Sequence, residues 1–440
     1  MSSRVEYAIS RRSVLTGSII AAACGSTVAG RVPGIMAAEN GLGPGFSPSG
    51  PNATVYGEKE GFPVADHSLS VQPGEPYDVK YRVGAYSHFD EIYPTHRIKH
   101  AANPWMFKRS KADIRYSFQG NQSSSVAEYL SRNPVTGLLI AKDDEILFEH
   151  YQYGRTDSDR FASQSMAKSI TAMLVGIAIG QGAIGSVEDP AEKYVSGFKG
   201  SEYGKTPIRD LLHMSSGVEF GETTDGQRDL NRLWIDMVLG LGPTKGTINS
   251  IVQFNRRIVP PGTKYFYASI EADVVGVVLH HAVNQSISDY LQEKLWEPIG
   301  AEADAAWVID AQGFEVAHCC FNAVLRDYAR LGRLLAHDGL WDGKQIIPAQ
   351  YVIDATTIRP SDAYLADAYL APGKDMSVFG YGYFMWLLPG ARRQFALLGA
   401  NGQRICVDPA SKLIMVQMAV EGAGEVWRLW SALVEQFAHG

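Results

Sequence analysis

The stretch SMAK, residues 165–168, stands at the head of a long apolar run that continues to Gly180 (AKSITAMLVGIAIG, residues 167–180). A run of this length, closed by glycine, predicts a buried helix. Positions i and i+3 of a helix share a face. We therefore expect the side chains of Ser165 and Lys168 to meet where this helix enters the core.

Such a pair of side chains suits nucleophilic catalysis. A serine hydroxyl becomes a useful nucleophile when a neighbouring base removes its proton. A free lysine has a pKa near ~10.4, and burial beside cationic or dipolar charge would lower that pKa and make Lys168 a usable base. Free N–H groups at the helix start can stabilise an oxyanion. The alternative is an N-cap serine beside a solvated lysine, because Ser-x-x-Lys also occurs by chance.

Two further clusters contain candidate partners for Ser165. Tyr267 lies in PPGTKYFYAS, residues 260–269, and a tyrosine hydroxyl can pass protons and hydrogen-bond a lysine. Residues 398–403 read LGANGQ, and glycine on a strand lets a ligand approach the backbone, where an N–H could complete an oxyanion hole. The alternatives are a core tyrosine and a plain Gly-rich turn.

Strand patterns lie on both sides of the predicted helix. Residues 136–141 and 146–151 flank a charged turn and predict a β-hairpin. Helical patterns broken by Gly and Pro fill the middle of the chain. The C-terminal end carries short apolar runs at 383–388, 395–398, 405–407 and 413–419, and then helical spacing over 425–437.

This arrangement predicts an α+β fold. Its antiparallel sheet would come from residues 111–160 and 375–440 and be flanked by helices. An inserted all-helical part would span about 185–360.

The N-terminal region predicts export. Arg11 and Arg12 precede an uncharged run of apolar and small residues, so residues 1–38 resemble a twin-arginine signal. We therefore expect an exported protein, periplasmic or secreted, with no stable membrane span in its mature form because the run is short. Lipid attachment at Cys24 is the less favoured alternative. Residues 39–110 predict a linker and a wrapping extension, followed by the main domain, 111–440.

Composition narrows the classes of partner. The net charge of −7 gives no electrostatic support for nucleic-acid binding. The cysteines beyond the signal (Cys319, Cys320 and Cys406) favour free buried thiols over a disulfide. Neither CxxC nor HExxH is present in the sequence, so we expect no metal and no cofactor. A monomer and a homodimer remain open.

Taken together and in this order, the three clusters resemble the motifs of the penicillin-recognising serine hydrolases: Ser-x-x-Lys, Tyr-x-Asn and a Lys-Thr-Gly-like strand. The sequence is more similar to class C β-lactamase-like esterases, and most similar to the 6-aminohexanoate-dimer (nylon-oligomer) hydrolase branch. The resemblance runs from about residue 110 to the C-terminus. The stretches that carry it are GLLIAKDDEILFEHYQYGRTDSDRFASQSMAKS (137–169), IGSVEDPAEKYV (184–195), IRDLLHMSSGV (208–218), PPGTKYFYAS (260–269), LRDYARLGRLLAHDG (325–339) and GQRICVDP (402–409).

The resemblance implies a β-lactamase/transpeptidase-like fold with the active site between a sheet-containing part and a helical part. It implies that Ser165 is the acylated nucleophile and Lys168 the general base. Tyr267 would be the third catalytic group, which helps to pass the proton to the leaving group. The backbone N–H groups of Ser165 and of a residue near Gln403 would form the oxyanion hole.

Two motifs depart from the family pattern. Ser269 stands where the family has Asn, and the third motif reads Ala400-Asn401-Gly402 with no Lys or His at its start. In β-lactamases and D,D-peptidases that cation meets the substrate carboxylate, so its absence weakens both of those activities. Ser269, Asn401 and Gly402 remain candidate residues of the substrate pocket.

The sequence therefore predicts a serine hydrolase that cleaves a small ester or linear amide through a covalent seryl acyl-enzyme. A β-lactamase or D,D-peptidase is the alternative within the enzymes. A catalytically silent exported binding protein that kept the fold is the alternative outside them.

Overall fold

The computed structural model describes residues 46–62, 77–118, 122–222, 227–366 and 380–438. The predicted export signal, residues 1–38 with Cys24, lies outside the described residues. Two kinds of element fill the described chain. The helices are α1 Arg82–Ala85, α2 Phe89–Ile92, α3 Val126–Arg132, α4 Met166–Gly180, α5 Ile208–Leu212, α6 Gln227–Leu233, α7 Thr247–Val252, α8 Ser269–Val283, α9 Ile287–Leu291, α10 Leu325–Ala336, α11 Ala349–Ala355 and α12 Glu425–Phe437.

The strands are short apart from the central ones. They are β1 Thr95–Ile98, β2 Lys108–Arg109, β3 Arg115–Ser117, β4 Ser123–Ser125, β5 Val135–Lys142, β6 Glu145–Tyr151, β7 Phe161–Ala162, β8 Ala305–Val308, β9 Phe321–Ala323, β10 Leu340–Trp341, β11 Lys344–Gln345, β12 Gly380–Tyr381, β13 Trp386–Leu387, β14 Phe395–Gly399, β15 Gln403–Asp408 and β16 Leu413–Ala419.

The largest sheet has eight strands in the order β12-β13-β14-β15-β16-β5-β6-β2. Its neighbours pair antiparallel except at the edge, where the two-residue β2 runs parallel to β6. Chain segments before and after the helical middle meet at the pairing of β16 with β5. The predicted α+β class with an antiparallel sheet is confirmed. The sheet takes strands from both sides of the helical middle, and its edge strand β2 lies just before the predicted range of 111–160.

Helices cover both faces of this sheet. Neighbouring residues of a strand point to opposite faces. Ile405 contacts Gly332 of α10, whereas the guanidinium of its neighbour Arg404 lies 4.7 Å from the centre of the Trp427 ring of α12. Since α10 and α12 occupy opposite faces, every residue of β16 is buried, which explains why all of its residues except Gln417 are apolar.

The helix α4 is buried on nearly all sides. It lies among β14, α8 and α11, and its residues from Met166 to Ala178 are buried. A helix with neighbours all round has no solvent face, so its sequence is apolar from Ala172 to Ile179, after the polar first turns. The predicted helix over 167–180 is present with these bounds plus Met166.

The predicted elements near the C-terminus are also present, with one difference. Residues 383–388 were expected to form one strand, but β12 and β13 make a hairpin there. Phe384 adopts a left-handed backbone with φ of 53°, and the N–H of Gly382 donates to the carbonyl of Met385 at 2.7 Å. The tight turn therefore replaces the first half of the expected strand, and β13 forms from its second half.

The middle of the chain is not purely helical, although an all-helical part was expected over about 185–360. The strands β8 and β9 lie inside that range and belong to a second sheet, in the order β1-β8-β9-β7. The helix α10 also lies inside the range but packs on β15 and β16 of the large sheet. The short apolar strands were missed because their length does not distinguish them from helix segments.

The described part of the 39–110 region lies against the main body. Its β1 pairs with β8, and its β2 extends the large sheet. Trp105 packs between the guanidinium of Arg333, 4.7 Å from its ring centre, and the ring of Trp341 at 5.0 Å. This extension therefore brings its own aromatic residues into the folded core.

Candidate active site

Ser165 and Lys168 meet at the start of α4. Ser165 is the N-cap residue of the helix, and the Lys168 Nζ lies 2.9 Å from the Ser165 Oγ. Gln164, the residue before the serine, holds a left-handed backbone with φ of 48°. That conformation is costly for a residue with a side chain and persists only where packing enforces it. The chain thus turns sharply into the helix at the serine.

The lysine is enclosed. Lys168 is 1% exposed, and its ammonium also donates to the His318 carbonyl at 2.9 Å. It lies 5.0 Å from the centre of the Tyr267 ring. A buried cation is stable only when its donors are matched by acceptors and nearby negative charge, and this site supplies both.

The pKa of Lys168 is raised, which corrects the expectation from the sequence. Burial is the strongest influence and lowers the pKa, but the electrostatic interaction and hydrogen bond with Tyr267, together with the negative charge of the Glu222 carboxylate, outweigh it. Lys168 therefore carries its proton in the resting site. The sequence could not show this because Glu222 reaches the lysine only through the fold.

Tyr267 lies on the segment that leads into α8. Its ring stacks on Trp386 with centroids 5.7 Å apart and an interplanar angle of 20°, and it meets the Tyr381 ring edge-on at 6.3 Å. The N–H of Phe266 donates to the carbonyl of Met214 at 2.8 Å, which anchors the segment from the other side. The structure thus places Tyr267 beside Lys168, where the sequence comparison with the family put it.

Glu222 is a residue of the site that the sequence did not single out. Both the N–H and the hydroxyl of Ser269 donate to its carboxylate, the hydroxyl at 2.5 Å from Oε1. The buried Ser269 hydroxyl, which was a candidate for the substrate pocket, is therefore already hydrogen-bonded to this carboxylate. No motif in the sequence points to Glu222, because its approach to the site depends on the fold. Residues 223–226, which follow it, lie outside the described residues.

The end of β14 approaches the backbone just before the nucleophile. A Cβ atom added to Gly399 would lie 2.3 Å from the carbonyl oxygen of Ser163 and 3.0 Å from the Cβ of Gln164. Only glycine permits this approach, so the Gly-rich motif is more than a turn.

The turn after Gly399 is tied down by its own side chains. Gln403 donates from Nε2 to the carbonyls of Ala419 at 2.7 Å and Ala400 at 3.0 Å. Asn401 has a left-handed φ of 59°, and its amide donates to the Tyr86 hydroxyl. Gly402 is buried with φ of 94° against Ala419. The side chains of Asn401 and Gln403 thus hold the turn in place.

A buried ion pair between His318 and Asp273 lies beside the lysine. The His318 ring donates from Nδ1 to the Asp273 carboxylate at 2.8 Å. Burial lowers the pKa of His318, but the Asp273 charge outweighs it and raises the pKa to about 10. The protonated ring therefore fixes the loop whose carbonyl accepts from Lys168. His213 behaves differently, since burial lowers its pKa to about 3, which agrees with a structural role.

The part of the chain that the structure describes contains no cluster of three or more His, Cys, Asp or Glu side chains placed to hold a metal ion. Its cysteines Cys319, Cys320 and Cys406 are buried free thiols. None of the helices described there is long and apolar enough to cross a bilayer.

The order of these groups along the chain matches a known family. The family model described as Beta-lactamase matches residues 125–425, more than half of the 440 residues. The chain belongs to the beta-lactamase family. This family comprises the penicillin-recognising serine hydrolases, so the resemblance drawn from the three motifs is confirmed.

One relative is named a 6-aminohexanoate-dimer hydrolase. The chain is 21% identical to a 6-aminohexanoate-dimer hydrolase of Paenarthrobacter ureafaciens over 76% of its length and 84% of that protein.

Solved structures show the same fold. A Bacillus anthracis protein assigned as a 6-aminohexanoate-dimer hydrolase superposes with a TM-score of 0.71 at 23% identity, over 82% of this chain and 95% of that one. A family VIII carboxylesterase superposes with a TM-score of 0.53 at 17% identity, over 69% of this chain and 93% of that one.

Proposed function

We propose that this protein hydrolyses a small ester or a linear amide through a covalent acyl-enzyme on Ser165. The observation that carries the proposal is the buried contact of 2.9 Å between the Lys168 Nζ and the Ser165 Oγ at the start of α4. A lysine that served only as a solvated surface charge would not be buried against a serine hydroxyl.

The proposed reaction has two halves. The Ser165 Oγ attacks the substrate carbonyl, and its proton passes to the neutral form of Lys168, with Tyr267 beside it. The tetrahedral intermediate collapses when the C–O or C–N bond breaks and the leaving alcohol or amine takes that proton by way of Tyr267. Water then attacks the acyl-enzyme, which releases the acid and returns the proton to Ser165.

Backbone donors would stabilise the negative oxygen of the intermediate. One is the N–H of Ser165, at the free N-terminal end of α4. The second would come from the turn between Gly399 and Gln403, whose start lies against the residues before the serine. Such preorganised donors make one of the largest contributions to catalysis of acyl transfer.

The electrostatics favour substrates without a carboxylate next to the scissile bond. The third motif lacks the Lys or His of β-lactamases, and the Arg404 that follows it lies over Trp427 of α12. The Glu222 carboxylate, which is held by Ser269, places a negative charge near the site. The 6-aminohexanoate-dimer hydrolase and the carboxylesterase among the relatives support linear amides and esters in the same way.

Export by the twin-arginine route to the periplasm or the medium is part of the proposal, and the paired Arg11 and Arg12 support it. We propose that the mature protein acts on its small-molecule substrate as a monomer or homodimer.

The deciding experiment is intact-protein mass spectrometry after exposure to a fluorophosphonate, on the wild type and on Ser165→Ala. Hydrolysis of p-nitrophenyl acetate, p-nitrophenyl butyrate, the linear dimer of 6-aminohexanoate and nitrocefin is measured in parallel. A single adduct with ester or linear amide turnover, both lost in Ser165→Ala, supports the proposal. Efficient nitrocefin turnover would favour a β-lactamase. A folded wild type with neither adduct nor turnover would favour a silent binding protein.

A further inference from the structure

One residue of the N-terminal extension contacts both segments that frame the nucleophile. The Tyr86 hydroxyl accepts the hydrogen bond from the Asn401 amide. Its backbone carbonyl accepts from the N–H of Ala162 at 2.8 Å, three residues before Ser165. Tyr86 thus joins the turn after β14 to the strand that leads into the serine.

The turn that Tyr86 holds has little other freedom. Asn401 sits at its centre with a left-handed backbone, between Gly399, which touches the Ser163 carbonyl, and the buried Gly402. A rotation of the Asn401 peptide would reorient the N–H groups on either side of it. The hydrogen bond to Tyr86 opposes that rotation because it fixes the Asn401 side chain.

Tyr86 is itself rigidly placed. It is 3% exposed, and its ring packs edge-on against Phe89 at 6.0 Å and Tyr77 at 6.3 Å. Asp90, on the same extension, accepts a hydrogen bond of 2.7 Å from the Arg160 Nε. The contacts of Tyr86 and Asp90 therefore attach the extension to the segment before Ser165. They hold the Tyr86 phenol in a fixed position.

We propose that Tyr86 is a positioning residue that aligns the turn between Gly399 and Gln403 so that a backbone N–H of this turn can bind the oxyanion. This inference rests on the proposed function. It assigns a catalytic consequence to a segment outside the family match, which begins at residue 125. The extension is thus part of the active site's supporting structure and not only a wrap around the domain.

The test compares Tyr86→Phe with Tyr93→Phe in the full chain. The first substitution removes the acceptor and keeps the ring. The second removes a phenol hydroxyl from the same aromatic group, where the Tyr93 ring packs 5.5 Å from Phe89 and 5.8 Å from Trp234. Measurements are the melting temperature, kcat and KM for p-nitrophenyl butyrate, and the inhibition constant of phenylboronic acid, which forms an anionic tetrahedral adduct with a serine.

The expected result is that Tyr86→Phe lowers kcat by roughly tenfold, because one hydrogen bond of positioning is lost while the donor itself stays. KM should stay within about twofold, and the boronic acid should bind weaker by the same factor as the loss of kcat. Tyr93→Phe should leave all three quantities near the wild-type values. Asn401→Gly keeps the left-handed backbone and removes the amide, so it should reproduce Tyr86→Phe, and the double variant should be no worse than either.

Three outcomes overturn the proposal. One is a Tyr86→Phe enzyme with wild-type kcat and boronate affinity. Another is a loss shared equally by Tyr93→Phe, which would mark a packing effect. The third is additive losses in the double variant. If Tyr86→Phe does not fold, Asn401→Gly alone decides. A wild type without fluorophosphonate adduct or turnover would instead defeat the proposed function, and that result is visible before any variant is made.

Discussion

The hydroxyl of Ser269 donates to the carboxylate of Glu222 at 2.5 Å, at the first turn of α8. Ser269 holds the position where the family motif has Asn, and its hydroxyl binds the Glu222 carboxylate. Burial lowers the pKa of Lys168, but Tyr267 and this carboxylate outweigh burial and raise it. The residue that departs from the motif thus binds one of the groups that act on the lysine.

The raised pKa of Lys168 predicts an alkaline rate profile. Only the neutral amine can accept the serine proton, and a base titrating above its usual value is almost fully protonated at neutral pH. The neutral fraction grows about tenfold per pH unit below the pKa, so kcat/KM should rise from pH 7 to beyond pH 9 with a slope near one. Initial rates with an ester that is stable at high pH would measure this. A plateau below pH 8 would contradict it.

Glu222→Gln should move that profile to lower pH. Removal of the negative charge leaves burial less opposed, and burial lowers the pKa of Lys168. The rising limb of kcat/KM should shift toward neutral pH, and activity at pH 7 should increase relative to activity at pH 9. The matched control is Glu219→Gln, because Glu219 pairs with Arg256 on the surface. An unshifted profile in Glu222→Gln would show that this glutamate does not set the pKa of Lys168.

Lys168→Ala should abolish turnover. The buried Nζ is the group that contacts the Ser165 Oγ, and loss of a catalytic base of this kind costs on the order of 10³-fold or more in kcat. The exposed Lys199 offers a control substitution of the same type. Activity that persists in Lys168→Ala would show that another group is the base.

Tyr267→Phe should lower kcat while KM changes little. The phenol oxygen is hydrogen-bonded to Lys168 and would take part in moving the serine proton. The phenylalanine ring of the variant would still stack on Trp386. A role in transition-state proton transfer predicts a fall of about 10²-fold or more in kcat. Tyr381→Phe, on the edge-on neighbour of the same ring, is the comparison. A rise in KM with kcat preserved would make Tyr267 a residue for substrate binding.

Gly399→Ala should damage both stability and activity. The added Cβ would lie 2.3 Å from the backbone oxygen of Ser163, so the strand or the segment before the serine must move. Such overpacking costs about 1–3 kcal/mol of unfolding free energy, and the turn near the oxyanion would be displaced. Gly422→Ala is the control, since a Cβ there meets its nearest atom at 3.5 Å. Thermal unfolding and kcat/KM measured on both variants would separate the two effects.

The export prediction can be tested apart from catalysis. Residues 1–38 fused to a folded reporter should deliver it across the membrane only when Arg11 and Arg12 are both present. Substitution of the pair by Lys-Lys keeps the charge and should stop export. Delivery that survives the Lys-Lys change would indicate another route.

The sequence by itself predicted the elements whose pattern is local. The apolar run after Ser165 gave α4, the apolar pairs around the charged turn gave β5 and β6, and the spacing over 425–437 gave α12. Hydrophobic periodicity and turn residues are enough for these, because they depend on near neighbours. The order of three separated motifs was enough for the family.

The tertiary structure alone decided how those pieces act on one another. Glu222 lies about 57 positions after Ser165 and Tyr86 about 79 positions before it, and neither belongs to a motif. The sign of the Lys168 pKa shift followed from the contacts that bring Tyr267 and Glu222 near the lysine, since burial and charge compete at short distance and only the packed fold sets their balance. Local sequence determined the helix that presents the serine, and the fold determined the charges and hydrogen bonds around it.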